Sequence, residues 1–150
     1  MKKEMKKRFS PKKTAAFCTV SVLLALIIWT VWGNTALMVS TAAISSSRIP
    51  PAFSGFRIAQ VSDLHNAEFG KDNSTLLRML SESGPDIIVI TGDLVDSTHT
   101  DIDTALSFAK EAVQIAPVYY VTGNHEARLT EYGRLRTGLE TAGVTVLEDK

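Results

Sequence analysis

Three short stretches carry side chains able to do metal and acid/base chemistry: Asp63-Leu64-His65, Gly92-Asp93-Leu94-Val95-Asp96 and Gly123-Asn124-His125-Glu126. Asp63 and His65 are two residues apart, so at a strand end both can point into one site. A carboxylate beside an imidazole suits Mn, Fe or Zn better than Ca or Mg alone. Asp93 has two oxygens with which to bridge two ions, and Asn124 adds a neutral carbonyl oxygen. Two ions ~3.5–4 Å apart can hold a hydroxide and clamp the oxygens of a phosphate during in-line attack. His125, next to Asn124, is placed to act as a general acid for a leaving alkoxide or to stabilise charge. Asp96 and Glu126 are expected to orient the ligands and the imidazole rings from behind. Taken singly these motifs say little, because Gly-Asp after a strand is commonly a turn. Their weight comes from recurring three times in the same setting.

That setting is a hydrophobic strand. Residues 56–62, alternating at Phe56, Ile58 and Val61, run into Asp63, residues 86–91 (centred on Ile87 to Ile90) into Asp93, and residues 117–122 into Asn124. Between them lie helical patterns. Leu76, Leu77 and Leu80 share one face after a cap at Asn73 or Ser74, and Gly84-Pro85 ends that helix. Ile102, Ala105, Phe108, Ala109, Ala112 and Val113 recur at helical spacing after Asp101 or Asp103. A third helix is expected over 130–142, closed by Gly143, and Val144 to Leu147 begin a last strand. The order β-α-β-α-β-α-β predicts an α/β fold with a mostly parallel sheet and right-handed crossovers. Parallel strands deliver their carboxyl ends to one edge, which would gather the three stretches. A nucleotide-binding α/β domain is disfavoured, because no Gly-rich phosphate loop follows the first strand. His99 reads as a solvated loop residue, and Tyr119 and Tyr120 as strand packing.

The rest of the chain points to a membrane. Formal net charge is zero, but residues 1–13 carry seven Lys/Arg (Lys2, Lys3, Lys6, Lys7, Arg8, Lys12, Lys13) against Glu4, and the remainder is correspondingly acidic. Thr14 to Trp32 contains no charged residue, close to the ~20 residues needed to cross a bilayer as a helix. Trp29 and Trp32 stand at its far end, where amphipathic rings favour the interface. The expected division is a basic cytoplasmic tail (1–13), a transmembrane helix or signal anchor (14–33), a linker or edge strand (34–55) and a catalytic domain (56–150). Lys/Arg before the apolar run place the N-terminus in the cytoplasm and the domain outside it, on a single-pass membrane protein. A cleaved signal peptide is the competing reading, and its apolar region would be shorter, ~7–15 residues. An alternating passage at Leu37, Val39 and Thr41 suggests a first edge strand before Pro50-Pro51. A basic tail on an acidic domain does not point to nucleic acid as a partner. The one cysteine, Cys18, lies in the apolar run and allows no disulfide within the chain.

The three motifs, in this order and each at a strand end, resemble the first blocks of the calcineurin-like metallophosphoesterases. The passage Val61-Ser62-Asp63-Leu64-His65-Asn66 is similar to the membrane-anchored bacterial members. The likeness covers roughly residues 50 to 150 and implies the N-terminal half of that family's α/β sandwich. It further implies two divalent ions (Mn, Fe or Zn), with Asp63, His65 and Asp93 on one and Asp93 and Asn124 on the other. His125 would be the catalytic histidine and a phosphomonoester or phosphodiester the substrate. The family pattern continues with a further His and a Gly-His-x-His block. The histidines here are His65, His99 and His125. The alternative expectation is therefore a truncated, non-catalytic metal-binding or scaffold domain.

Overall fold

The computed structural model describes residues 11–148. Lys2, Lys3, Lys6, Lys7 and Arg8, on which the charge argument for topology mostly rests, lie outside the described residues. The chain divides into two compact units, Met1–Met38 and Val39–Lys150.

The first unit is built on one helix, α1 (Pro11–Thr35). Pro11 opens it, where a missing N–H costs nothing and the fixed φ suits the first turn. Within it, Thr14–Gly33 is long and apolar enough to cross a membrane, and none of it is buried. Phe17, Ile28, Trp29 and Trp32 are all exposed. The hydroxyls of Thr19 and Thr30 donate to the carbonyls of Ala15 and Leu26, one turn back. These two hydroxyls are thereby satisfied within the helix, as a hydrocarbon setting would require.

The second unit alternates strands and helices: β1 (Ile58–Val61), α2 (Ser74–Ser83), β2 (Ile87–Ile90), α3 (Ile102–Ala112), β3 (Val118–Tyr120), α4 (Tyr132–Ala142) and β4 (Thr145–Val146). The four strands form one parallel sheet in sequential order. Val61 pairs with Ile90, and Ile90 in turn with Tyr120. The strand ends that carry the three motifs therefore stand side by side. One face of the sheet, with Ile88, Ile90, Val118 and Tyr120, is fully covered. Phe108, Ala109 and Ala112 of α3, Leu135 and Leu139 of α4, and Leu76 and Leu80 of α2 complete that core. The other face, with Ile87, Val89 and Tyr119, is half-buried.

Four details depart from the sequence reading. Residues 36–46 form no strand, and Met38 and Val39 are exposed. A strand needs a partner, and none of the four described strands pairs with this run, so its Met38, Val39 and Ile44 stay exposed with no burial to offset ordering it. Phe56 and Ile58, expected to alternate into the core, are also exposed; β1 is an edge strand and only Val61 is buried. Asn73 precedes α2 in a left-handed conformation, and its side-chain oxygen accepts from Phe69 N–H at 3.0 Å rather than capping the helix. The third helix starts at Tyr132, two residues late. Asp101 does cap α3, accepting from Thr104 N–H at 3.0 Å.

Candidate metal centre at the strand ends

Beyond its last residue each strand enters a loop that keeps bonding to its neighbour. Asp63 N–H donates to Gly92 O at 3.2 Å, His65 N–H to Asp93 O at 2.9 Å, and Asn66 N–H to Leu94 O at 3.2 Å. The ladder can continue only because the backbone turns through an unusual conformation. Asp63, His65, Asn66 and Asp93 all have positive φ, between 48° and 63°. Asp, Asn and His are the non-glycine types that tolerate this region best. Here, then, the residue types that offer ligand atoms are also those that the backbone geometry favours. Strain concentrated in this way is characteristic of functional sites.

The approach of β2 to β3 is closer still. Gly92 has φ 92°, and a Cβ there would sit 2.5 Å from Gly123 Cα. A Cβ on Gly123 would in turn sit 2.5 Å from Asp93 N. The two glycines let the second and third motifs touch backbone to backbone.

Glu126 locks them together. Its carboxylate is 1% exposed. One oxygen accepts from Asp93 N–H and Gly123 N–H, each at 2.8 Å, and the other from Val95 N–H at 3.1 Å. Burying a carboxylate costs several kcal/mol unless it is paired or hydrogen-bonded. Charge-assisted bonds contribute about 1.5–3 kcal/mol each, so three of them cover that cost. Asp93 closes the circuit by accepting from His125 N–H at 2.8 Å with Oδ1. Tyr120, fully buried in β3, keeps its hydroxyl proton because burial, and next the charge of Glu126, push its pKa well up.

The outcome is a tight donor group. Ligand atoms of His65, Asp93 and His125 all lie within 4.8 Å of one another. The two rings meet edge to face with centroids 4.4 Å apart. His65 Nδ1 is buried with no hydrogen-bond partner. A buried imidazole nitrogen without a partner, beside a buried carboxylate, is a donor set that fits a divalent transition metal. Asp63 Oδ1 is 3.8 Å from His65 Nε2, and the Asp63 carboxylate also takes the Ser62 hydroxyl, but its side chain is 64% exposed. Asn124 is exposed in the turn between Gly123 and His125.

Asp96 is occupied elsewhere. It closes its own turn, accepting from Thr98 N–H and Thr98 Oγ1, each at 2.6 Å, and from His99 N–H at 3.0 Å. The Thr98 hydroxyl, then the two backbone N–H groups, hold its carboxyl well below the usual range. His99 is exposed, as expected of a loop residue, but its carbonyl takes Asn66 Nδ2–H at 2.5 Å, tying this turn to the loop after β1. The sequence reading overlooked Ser97, whose backbone N–H lies 3.0 Å from His125 Nδ1. No side-chain signal could have pointed to it, because the contact is made by the main chain. A separate cleft of 330 Å³, lined by Glu68, Asp72, Asp101 and Asp103 among others, shares none of the metal-site residues.

Comparison with known proteins agrees with this arrangement. The calcineurin-like phosphoesterase profile matches residues 56–146, which hold all four strands and all three motifs. A "transmembrane protein with metallophosphoesterase domain" from Bos taurus is 31% identical over 112 residues, 69% of this chain and 25% of that protein. Its namesake in Danio rerio is 31% identical over 117 residues, 72% of this chain and 26% of its own length. The uncharacterized metallophosphoesterase YkuE of Bacillus subtilis is 44% identical over 59 residues, 38% of this chain and 21% of that protein. The matched stretch thus spans about a quarter of these relatives. Strand-end motifs, parallel sheet and profile agree, and the chain belongs to the calcineurin-like phosphoesterases.

Proposed function

We propose that this chain carries the first-half ligands of a metal-dependent phosphoesterase that hydrolyses a phosphomonoester or phosphodiester with two divalent ions. The observation that carries the reading is the convergence of His65, Asp93 and His125 within 4.8 Å at the carboxyl edge of a parallel sheet. Asp63, His65 and Asp93 would hold one ion and Asp93 and Asn124 the other, with Mn, Fe or Zn all suited to the donors. Such ions, when bound, lower the pKa of water and offset charge on phosphate oxygens. The protein's own part is to hold the donors rigid. Glu126 does this by fixing the Asp93 and Gly123 backbones, and His125 is the catalytic histidine. A non-catalytic scaffold is not favoured by donors that are already assembled.

The apolar stretch Thr14–Gly33 supports a membrane anchor, as does the printed name of the cattle and fish relatives. With Lys/Arg before it, the N-terminus would be cytoplasmic and the phosphoesterase domain extracytoplasmic.

The test is metal content and bis(p-nitrophenyl) phosphate hydrolysis by the full chain in detergent with excess Mn, beside Asp93→Ala. Bound metal and turnover, both lost in Asp93→Ala, are the expected result. A folded chain that binds no metal would overturn the reading.

A further inference from the structure

We propose that the turn segment 44–58, just ahead of β1, docks through Phe53 and Phe56 on the surface of the bilayer that α1 crosses, and thereby turns the metal centre toward water. The proposal rests on the membrane-anchor part of the reading above and adds a second, peripheral contact to it.

The segment is apolar and well formed, yet every residue from 44 to 58 is exposed. Ile44, Ile49, Phe53, Phe56 and Ile58 are its large apolar side chains. Its shape comes from its own main chain. Ile49 N–H donates to Ser46 O at 3.1 Å, Phe53 N–H to Pro50 O at 3.0 Å, and Phe56 N–H to Phe53 O at 3.1 Å. The two phenyl rings meet edge to face with centroids 5.5 Å apart. A single exposed apolar side chain is ordinary, whereas a contiguous group marks a surface that meets lipid or protein. The rest of the domain has no comparable group. From Asp63 onward, the exposed large apolar side chains among the described residues are Val121 and Leu147.

Charge favours lipid as the occupant. Residues 34–62 contain Arg48 and Arg57 and no Asp or Glu, whereas residues 63–150 carry fifteen Asp/Glu against seven Lys/Arg. A bilayer with anionic lipids attracts the first part and repels the second. Arg48 is exposed and makes no ion pair among the described residues, so it is free to reach a lipid phosphate. Arg57 is engaged within the domain instead. Its backbone N–H donates to Asp86 Oδ2 at 2.6 Å and its guanidinium to Ser83 O at 3.0 Å. These bonds fasten the segment to the end of α2 and the start of β2, so a surface that holds the segment also orients the sheet.

The anchor makes a weak contact sufficient. Residues 34–49 join the apolar stretch Thr14–Gly33 to Pro50. Fully extended, that link reaches at most ~55 Å. Tethering gives the segment a high effective concentration at the bilayer, where side chains of this kind settle among the head groups.

The docked end lies opposite the chemistry. The segment enters β1 at its amino end, Ile58, and Asp63 and His65 follow its carboxyl end. At ~3.3 Å per residue, the path from Ile58 to Asp63 covers ~17 Å. With the amino end on the bilayer, the carboxyl edge faces away from it. The site then takes a phosphoester that arrives from water rather than one in the head-group layer beneath the domain.

The experiment places single tryptophans in the full chain, with Trp29→Phe and Trp32→Phe as background. The chain is held in nanodiscs of phosphatidylcholine and phosphatidylglycerol, which have solvent on both faces. Phe53→Trp reports on the segment, and Leu147→Trp, also at an exposed apolar position but just after β4 at the carboxyl edge, is the matched control. Brominated lipid quenches a ring that enters the bilayer, and acrylamide one that stays in water. Phe53→Trp should be quenched by brominated lipid at least ~2-fold more than Leu147→Trp, with the order reversed for acrylamide. Adding Arg48→Glu and Phe56→Asp to Phe53→Trp should abolish its lipid quenching and leave the far-UV circular dichroism unchanged. Quenching of Phe53→Trp by acrylamide alone would mean a segment free in water, and protection from both quenchers a segment covered by protein. Either result overturns the proposal, as does equal lipid quenching of Phe53→Trp and Leu147→Trp. The parent chain, with Trp29 and Trp32 in place, tells two failures apart. Lipid quenching there but not in Phe53→Trp leaves the anchor standing and removes the docking, whereas no lipid quenching in either removes the anchor and the docking with it.

Discussion

The two sides of the metal centre are built differently. On the side of β2 and β3, both carboxylates are buried (Asp93 8% exposed, Glu126 1%) and every turn is tied to the next by hydrogen bonds to main-chain N–H groups. On the side of β1, the Asp63 side chain is 64% exposed, and its partners are the neighbouring Ser62 and a 3.8 Å approach to His65. The first side is cross-linked by main-chain hydrogen bonds from its own residues. The second is held by backbone bonds, but its carboxylate can adjust. Under the proposed function, Asp93 with its anchors would define where an ion sits, and Asp63 would reach it from the solvent-exposed side.

Glu126→Ala should break the rigid side and have the largest effect. It leaves three N–H donors without their acceptor, at about 1–3 kcal/mol each. A loss of at least ~3 kcal/mol in denaturant unfolding is expected, together with loss of bound metal. A stable Glu126→Ala chain with normal metal content would remove the basis of the comparison.

Gly92→Ala attacks the same side through the backbone. The added Cβ meets Gly123 Cα at 2.5 Å, at a φ of 92° that L-residues rarely adopt. About 1–3 kcal/mol of destabilisation should appear in the same unfolding measurement.

Asp93→Asn separates chemistry from architecture. Asn tolerates the left-handed conformation at φ 51° and can still accept from His125 N–H, so stability should change by less than ~1 kcal/mol. Metal content by mass spectrometry should nevertheless collapse. Asp63→Asn, on the exposed side, should leave unfolding within ~0.5 kcal/mol of the parent and weaken metal affinity by about 10-fold or more. Equal stability losses for Asp63→Asn and Glu126→Ala would erase the distinction between the two sides.

The smallest effect concerns Asp96 and pH. Its carboxyl is depressed in the folded chain, first by the Thr98 hydroxyl. The stabilisation is therefore complete above the ordinary value of 3.8 and is lost only as pH falls below it, through the depressed folded value. The part of the Thr98 amide shift that depends on Asp96, read against Asp96→Asn, should stay constant from pH 7 to about 4 and move only in stronger acid. Asp96→Asn should abolish that acid-range movement.

Much of this could be read in advance because it depends on local periodicity. The apolar runs before Asp63, Asp93 and Asn124 became β1, β2 and β3, and the helical spacing at Ile102, Ala105, Phe108 and Ala109 became α3. The passage around Val39 looked like a strand by the same criterion and is not one, because alternation cannot show whether a partner exists. Phe56 and Ile58 failed in the same way: pairing leaves β1 at the edge, and their burial depended on neighbours that pattern alone does not reveal.

At the site the division is similar. Residue type and spacing were enough to propose Asp63, His65, Asp93 and Asn124 as ligands and His125 as the catalytic histidine, since ligand chemistry belongs to the side chain itself. Which of them meet closely, how deeply Glu126 is buried, and which nitrogen of His125 faces a donor all depend on main-chain atoms brought together from loops far apart in the chain. Every residue but proline carries the same N–H, so the amides of Asp93, Val95, Ser97 and Gly123 leave no mark in the sequence. Folding alone gives them their roles, by placing each against the one acceptor that it can reach.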